Sequence, residues 1–314
     1  GTATGGGARS RRRAEGVRAE YGWPRRNARW EKQVWGEAVT KIASVSYESK
    51  CIAQLCAIAR NDIGEIVRKR WSSGFFWRHG DVPFLITNRH CVTGRDGTNE
   101  PLSDGFDPVG LQVLFRVPSE GVADDAQTYA NRAIEYHLWK DGKPDWHEHP
   151  KGSFIDVVAL KISDFPDQIH CVNDKSQYDH WQPEAGTDCF IVGYPEALGG
   201  SEGTPIWKRG SIASEPELEL DGMPIFLCDS ATREGLSGAP VFAKMLGNFS
   251  IEGRPFSETA SPQFFAHWTK FLGVYAGREG DEKDGFQLGR VWKASILSDI
   301  LNNTNTPESP FIRK

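Results

Sequence analysis

The chain has 314 residues, enough for one large domain or two modest ones with a core that stands without disulfide staples. With 39% hydrophobic and 25% charged residues it has the composition of an ordinary globular protein. No apolar run approaches the roughly 18 residues that a membrane-spanning helix needs, so a membrane partner is not expected.

The net charge of −5 is unevenly spread. Residues 1–35 hold nine Lys or Arg against three Glu, a net of +6, which leaves −11 on residues 36–314. A basic arm on an acidic body has the charge to hold nucleic acid or anionic lipid. Nothing aromatic or periodic organises these arginines, so residues 1–35 read as a flexible, glycine-rich arm and nucleic acid is set aside as a partner. The pattern of a secretory signal, a charged start followed by an apolar block, is missing from this stretch. The chain begins with Gly1 and not Met, which leaves room for a removed leader or upstream domain.

From about Lys41 onward, short β-branched and aromatic runs alternate with turn-rich breaks. A helix is expected over residues 47–59. The runs S-G-F-F-W-R, P-F-L-I-T-N and L-Q-V-L-F-R-V follow as strands, then F-I-D-V-V-A-L-K-I, C-F-I-V-G-Y, M-P-I-F-L-C and F-L-G-V-Y-A-G. Many short strands with Gly and Pro between them predict an all-β protein, barrel or sandwich. The polar stretch 163–186 separates two strand-rich halves. The expected organisation is an arm (1–35), a first β-barrel (36–165), a linker (166–186), a second β-barrel with a terminal helix (187–302) and a tail (303–314). That helix is predicted over residues 290–302, where Trp292, Ile296, Leu297, Ile300 and Leu301 fall on one face.

Three segments carry chemistry. L-I-T-N-R-H-C-V places His90 where the chain leaves an apolar strand. F-I-D-V-V-A-L-K-I places Asp156 in an apolar run, where a carboxylate needs a partner such as a histidine N–H. T-R-E-G-L-S-G-A-P-V-F sets Ser237 among glycines, which suits a tight turn whose N–H groups form an oxyanion site beside a nucleophile. Taken singly, each has a duller explanation: a core histidine, a turn-forming Asp, a turn Ser. Their order, His then Asp then Ser, differs from that of an α/β-hydrolase and fits the chymotrypsin arrangement. His147 and His149, in W-H-E-H-P, have an H-x-H spacing, but no third ligand accompanies them and no metal is expected. The six cysteines show no C-x-x-C pair. Cys189 and Cys228 lie in apolar runs, and a reducing, cytoplasmic setting is the simpler expectation.

On these segments the sequence resembles a bacterial trypsin-like serine peptidase of the chymotrypsin clan. T-N-R-H-C is similar to the family's T-A-A-H-C, I-D-V-V-A-L to D-I-A-L-L, and G-L-S-G-A-P-V to G-D-S-G-G-P-V. Weaker echoes are G-Y-P at residues 193–195 and W-K-R-G-S-I-A-S at residues 207–214. The resemblance implies two antiparallel six-stranded β-barrels with a C-terminal helix, and a serine endopeptidase acting on proteins or peptides without a cofactor. It implies His90, Asp156 and Ser237 as the catalytic triad and the N–H groups of Gly235 and Ser237 as the oxyanion hole. It also implies a substrate pocket with Ala231 at its base and Tyr275, Ala276, Gly277 and Gly285 in its walls. The alternative is a catalytically weak peptide-binding module or scaffold on the same fold. The sequence departs from the family where Cys91 lacks its usual cysteine partner. It departs again at Leu236, where animal members carry the aspartate that receives a newly cut N-terminus, so activation by that route is not expected.

Overall fold

The computed structural model describes residues 1, 39–41, 45–118, 128–162, 169–175, 181–250, 263–279 and 287–303. Apart from Gly1 the arm lies outside these residues, and so do the chain beyond 303 and Gly285. By its internal contacts the chain divides into residues 1–36 and 37–314, and the second unit holds all of the architecture below.

The strands of the first half are β1 (Val39–Lys41), β2 (Ile52–Arg60), β3 (Ile66–His79), β4 (Val82–Thr87), β5 (Gly110–Pro118) and β6 (Thr128–His137). A two-stranded ribbon of β7 (Trp139–Lys140) and β8 (Lys143–Pro144) comes next, then β9 (His147–Glu148) and β10 (Val158–Lys161). Apart from the ribbon they form one eight-stranded antiparallel sheet in the order β1-β6-β5-β2-β3-β4-β10-β9. The second half is a closed six-stranded barrel in the order β11-β12-β13-β16-β15-β14. Its strands are β11 (Asp188–Gly193), β12 (Ile206–Ile212), β13 (Ile225–Asp229), β14 (Pro240–Ser250), β15 (Gln263–Arg278) and β16 (Leu288–Lys293). The protein is thus all-β, with the expected six-stranded second barrel; among the described residues the first half holds an eight-stranded sheet and the separate two-stranded ribbon.

Two helix expectations need correction. Of residues 47–59 only α1 (Tyr47–Lys50) is helical, and β2 follows at once. Residues 52–58 are all buried, because β2 runs between β3 and β5 and is covered on both faces. A strand covered on both faces loses its alternation and cannot be told from a buried helix by period alone. At the other end, residues 290–293 complete β16, and the helix is confined to Ile296–Asn302. Its buried residues Ile296, Leu297, Ile300 and Leu301 repeat at helical spacing, whereas Trp292 reaches the same core from the strand.

Each half has its own core, one around Leu55, Phe76 and Leu111 and the other around Ile191, Phe226 and Val241. A third, larger core joins them. It brings Phe75, Ile86 and Ile155 of the first half together with Val192, Phe242, Phe271 and the C-terminal helix. Part of the predicted linker belongs to these cores as well, since Ile169, Cys171 and Val172 are buried. The segments singled out by the sequence lie along this seam.

Candidate active site

Strand register brings the first two candidates together. β10 pairs with β4 so that Val158 faces Thr87. One step beyond that ladder, the chain before β10 meets the short helix α2 (Arg89–Thr93) that follows β4. The leading N–H groups of a helix have no partners within it, and Asp156 supplies them. Its carbonyl accepts from Arg89 N–H at 3.3 Å and from the Asn88 side-chain amide at 2.7 Å. Its carboxylate accepts from His90 N–H at 2.8 Å through Oδ1, and Oδ2 lies 2.6 Å from His90 Nδ1. The carboxylate is thereby fixed in place and the imidazole is oriented.

Burial, the largest influence on the His90 imidazole, disfavours its charged form. The charge of the facing Asp156 carboxylate and the neighbouring Cys91, with hydrogen bonds to both, act the other way, and the pKa is held well above 6.5. Both side chains remain about one-fifth exposed, 21% for His90 and 22% for Asp156, so the pair is open to a reactant.

Behind His90 stands a contact that sequence reasoning missed. Arg89, its neighbour, turns inward with its side chain 4% exposed and donates from Nε to Glu148 Oε1 at 3.0 Å. The same Glu148 oxygen accepts from Trp146 Nε1 at 2.9 Å, and Arg89 Nη2 reaches Asn99 Oδ1 at 2.8 Å. This anchors α2 to β9. The only sequence signal was an arginine beside the histidine and a glutamate within W-H-E-H-P. The histidines of that motif face the C-terminal helix region: His147 Nδ1 lies 3.2 Å from the Asn303 carbonyl, and His149 Nε2 lies 3.4 Å from Asp299 Oδ2.

Ser237 sits in a turn over residues 236–239, closed by Ala239 N–H on the Leu236 carbonyl at 2.9 Å. Gly238 has φ +82°, the positive angle that the third residue of a type II turn needs. A Cβ there would also lie 2.3 Å from both the Ser73 carbonyl oxygen and Thr87 Oγ1, and 3.1 Å from Asn88 N. Only glycine fits, and its backbone is packed directly on the segment that leads into His90. Gly235, at φ +91°, is equally confined, with Tyr194 O and Glu196 N at 2.6 and 2.7 Å from an added Cβ.

The turn is hydrogen-bonded to both halves. Ser73 N–H donates to the Ser237 carbonyl at 2.9 Å, and Gly238 N–H donates to the Tyr275 carbonyl at 2.9 Å. Glu196 N–H donates to the Glu234 carbonyl at 2.6 Å. In a trans peptide the N–H and C=O point opposite ways, so this bond turns Gly235 N–H away from Glu196. Leu236 is 1% exposed and packs into the second barrel's core with Ile191 and Val241. Apolar burial holds this position.

Among the expected pocket residues, Ala231 is exposed. The Tyr275 ring points into the barrel core, its hydroxyl bonded to Thr232 Oγ1, so this residue presents its backbone to the turn. Ala276 is buried in a β-bulge between Tyr275 and Gly277, an irregularity that re-aims neighbouring side chains. Gly277 has φ +114° and open space where a side chain would stand. Arg278, next in the strand, donates from Nη2 to the Thr232 carbonyl, which sets a cation beside Ala231.

The profile of a protein family described as the trypsin-like peptidase domain matches residues 72–249, more than half of the chain. No curated protein matches it. Solved structures similar to it include an inactive mutant form of Rv3671c from M. tuberculosis H37Rv, at 15% identity and TM-score 0.39, covering 81% of this chain and 86% of the other. Another is a thermostable serine protease, AL20, from an extremophilic microorganism, at 11% identity and TM-score 0.44, covering 83% of this chain and 100% of the other.

Proposed function

The chain belongs to the trypsin-like peptidase family, and from that footing we propose that it is a serine endopeptidase working through His90, Asp156 and Ser237. His90 takes the Ser237 proton as the hydroxyl attacks a peptide carbonyl. Asp156 keeps the imidazole in the tautomer with Nδ1–H and stabilises the imidazolium that forms. The N–H groups of Gly235 and Ser237 bind the oxyanion, a contribution of about 3 kcal/mol per donor. His90 then passes its proton to the leaving amine, and water releases the acyl-enzyme. The substrate is a protein or peptide, and the chemistry requires no cofactor.

The observation that carries this reading is the docking of the Ser237 turn on Asn88, two residues before a histidine whose Nδ1 lies 2.6 Å from a carboxylate oxygen. On the substrate side, Ala231 offers no charge and Gly277 leaves open space, which supports cleavage after apolar residues of medium to large size. The preference is broad, because one methylene changes such selectivity by only about 1–3 kcal/mol. Arg278 beside Ala231 favours an acidic residue as the competing choice.

A fluorophosphonate probe tests the nucleophile: labelling of Ser237 in the parent and none in Ser237→Ala supports the reading. An unlabelled Ser237 in folded protein leaves only a peptide-binding module. Ser237→Ala and His90→Ala each remove nearly all amidase activity, and the double variant loses hardly more, because the two act as a unit. Additive losses count against the triad. Peptides matched except for Phe, Leu, Glu or Arg before the scissile bond read out the pocket, and a preference for Arg would remove the Ala231 argument.

A further inference from the structure

Ser73 lies in the middle of β3, fully buried, and both sides of its hydroxyl are occupied. Oγ donates to the Gly235 carbonyl at 2.8 Å and accepts from Tyr194 N–H at 2.9 Å. The Ser73 backbone adds two more bonds, N–H to the Ser237 carbonyl at 2.9 Å and C=O from Thr87 Oγ1 at 2.9 Å. Space is reserved for the hydroxyl: a Cβ on Gly193, at the end of β11, would stand 2.6 Å from Ser73 Oγ. One side chain of the first sheet thus bridges the end of a barrel strand and the Gly235–Leu236 peptide of the segment that leads into Ser237.

We infer that Ser73 is a positioning residue for the oxyanion site, acting through the Gly235–Leu236 peptide. The inference rests on the serine-peptidase reading above. Gly235 is flanked by two peptide groups, and a glycine rotates easily between orientations. Glu196 N–H fixes the peptide before it, through the Glu234 carbonyl at 2.6 Å. The Ser73 hydroxyl fixes the peptide after it. With both held, and with the next peptide bracketed by the buried Leu236 side chain and by the Ser73 N–H on the Ser237 carbonyl, Gly235 N–H and Ser237 N–H keep one mutual orientation before substrate arrives, which is what makes oxyanion stabilisation effective. Leu236, buried in barrel core, brings no carboxylate with which an ion pair could hold the turn in place.

Ser73→Ala isolates the hydroxyl, since the backbone N–H to Ser237 remains. The expected loss is in kcat, by about 10- to 100-fold, below the 10²- to 10³-fold of deleting a donor outright, with KM little changed. Two inhibitors separate positioning from general damage. A peptide trifluoromethyl ketone, which forms an oxyanion on Ser237, should lose affinity by the same factor as kcat. A peptide whose scissile carbonyl is reduced to methylene, and so has no oxygen to bind, should keep its affinity. Parent-like kcat and ketone affinity, or an equal loss for both inhibitors, would overturn the inference. Should Ser73→Ala fail to fold, Ser73→Cys, whose thiol is a poorer hydrogen-bonding group, goes through the same comparison and is read the same way. Retained amidase activity in Ser237→Ala would instead dispose of the Ser237 mechanism on which this inference rests; Ser237-dependent activity that ignores Ser73 disposes of this inference alone.

Discussion

His90 is the residue at which electrostatics and chemistry meet. To act as the proposed base it must be neutral, and although burial opposes the charged form, the Asp156 carboxylate and neighbouring Cys91 hold its pKa well above 6.5. The acid limb of kcat/KM against pH should therefore lie above 6.5. Asp156→Asn should keep the fold, move that limb down and lower kcat strongly, because the amide mispairs the tautomer. The sign for stability is the opposite. A histidine pKa raised by folding stabilises fully below the unfolded value of about 6.5 and ceases to do so as pH climbs through the folded value. The stability difference between the parent and His90→Ala should accordingly be largest in acid and shrink with rising pH, as denaturant titrations at several pH values would show. At Gly238 backbone and space agree. Ala there must adopt φ +82° and overlaps Ser73 O and Thr87 Oγ1, so Gly238→Ala should cost at least about 2 kcal/mol and abolish fluorophosphonate labelling.

The elements show which parts of a site depend on long-range pairing. Helix α2 is a single turn, too short to be stable alone. Asp156 holds its N-terminal end, and the buried Arg89–Glu148 pair ties it to β9. Removing one partner of a buried pair strands the other charge, so Glu148→Ala should destabilise by about 3–5 kcal/mol. The measurement is the melting temperature together with amidase activity, and an unchanged melting temperature would show that the pair is not an anchor. The helix expected over residues 47–59 fails because β2 is covered on both faces, and no window of sequence reveals its two neighbours. The C-terminal helix was legible because its apolar stripe is sequence-local; only its start was misjudged, β16 having taken residues 290–293.

At the scale of the whole molecule, the candidate site depends on a seam that two halves share. His90 and Asp156 come from the first half and the Ser237 turn from the second, with Ser73 and Gly238 packed across the join. Leu236 is held by apolar burial in the barrel core. We therefore expect the chain to be active without a cut near Lys41, and removal of residues 1–35 to leave kcat/KM within a few-fold. An inert full-length chain that wakes on N-terminal proteolysis would overturn this. The six thiols are free and buried, and burial pushes those of Cys56 and Cys171 up to about 12. Millimolar dithiothreitol should leave both melting temperature and activity unchanged; a large drop on reduction would reveal a disulfide.

By itself the sequence determined the all-β class, and it singled out the three candidate segments and the glycines that the Ser237 turn requires. Each is a local property: strand composition, a polar residue in an apolar run, a backbone angle that only glycine adopts with ease. The tertiary structure decided what local pattern does not encode. It decided the β4–β10 register that sets Asp156 against His90, the barrel core that takes in the Tyr275 ring, and the hydrogen bonds that Ser73 makes to Tyr194 and Gly235. A serine in S-G-F-F-W-R reads like any strand residue, because its partners Tyr194 and Gly235 lie 121 and 162 positions away. Hydrogen bonds of that span come into being only when the two halves close on one another.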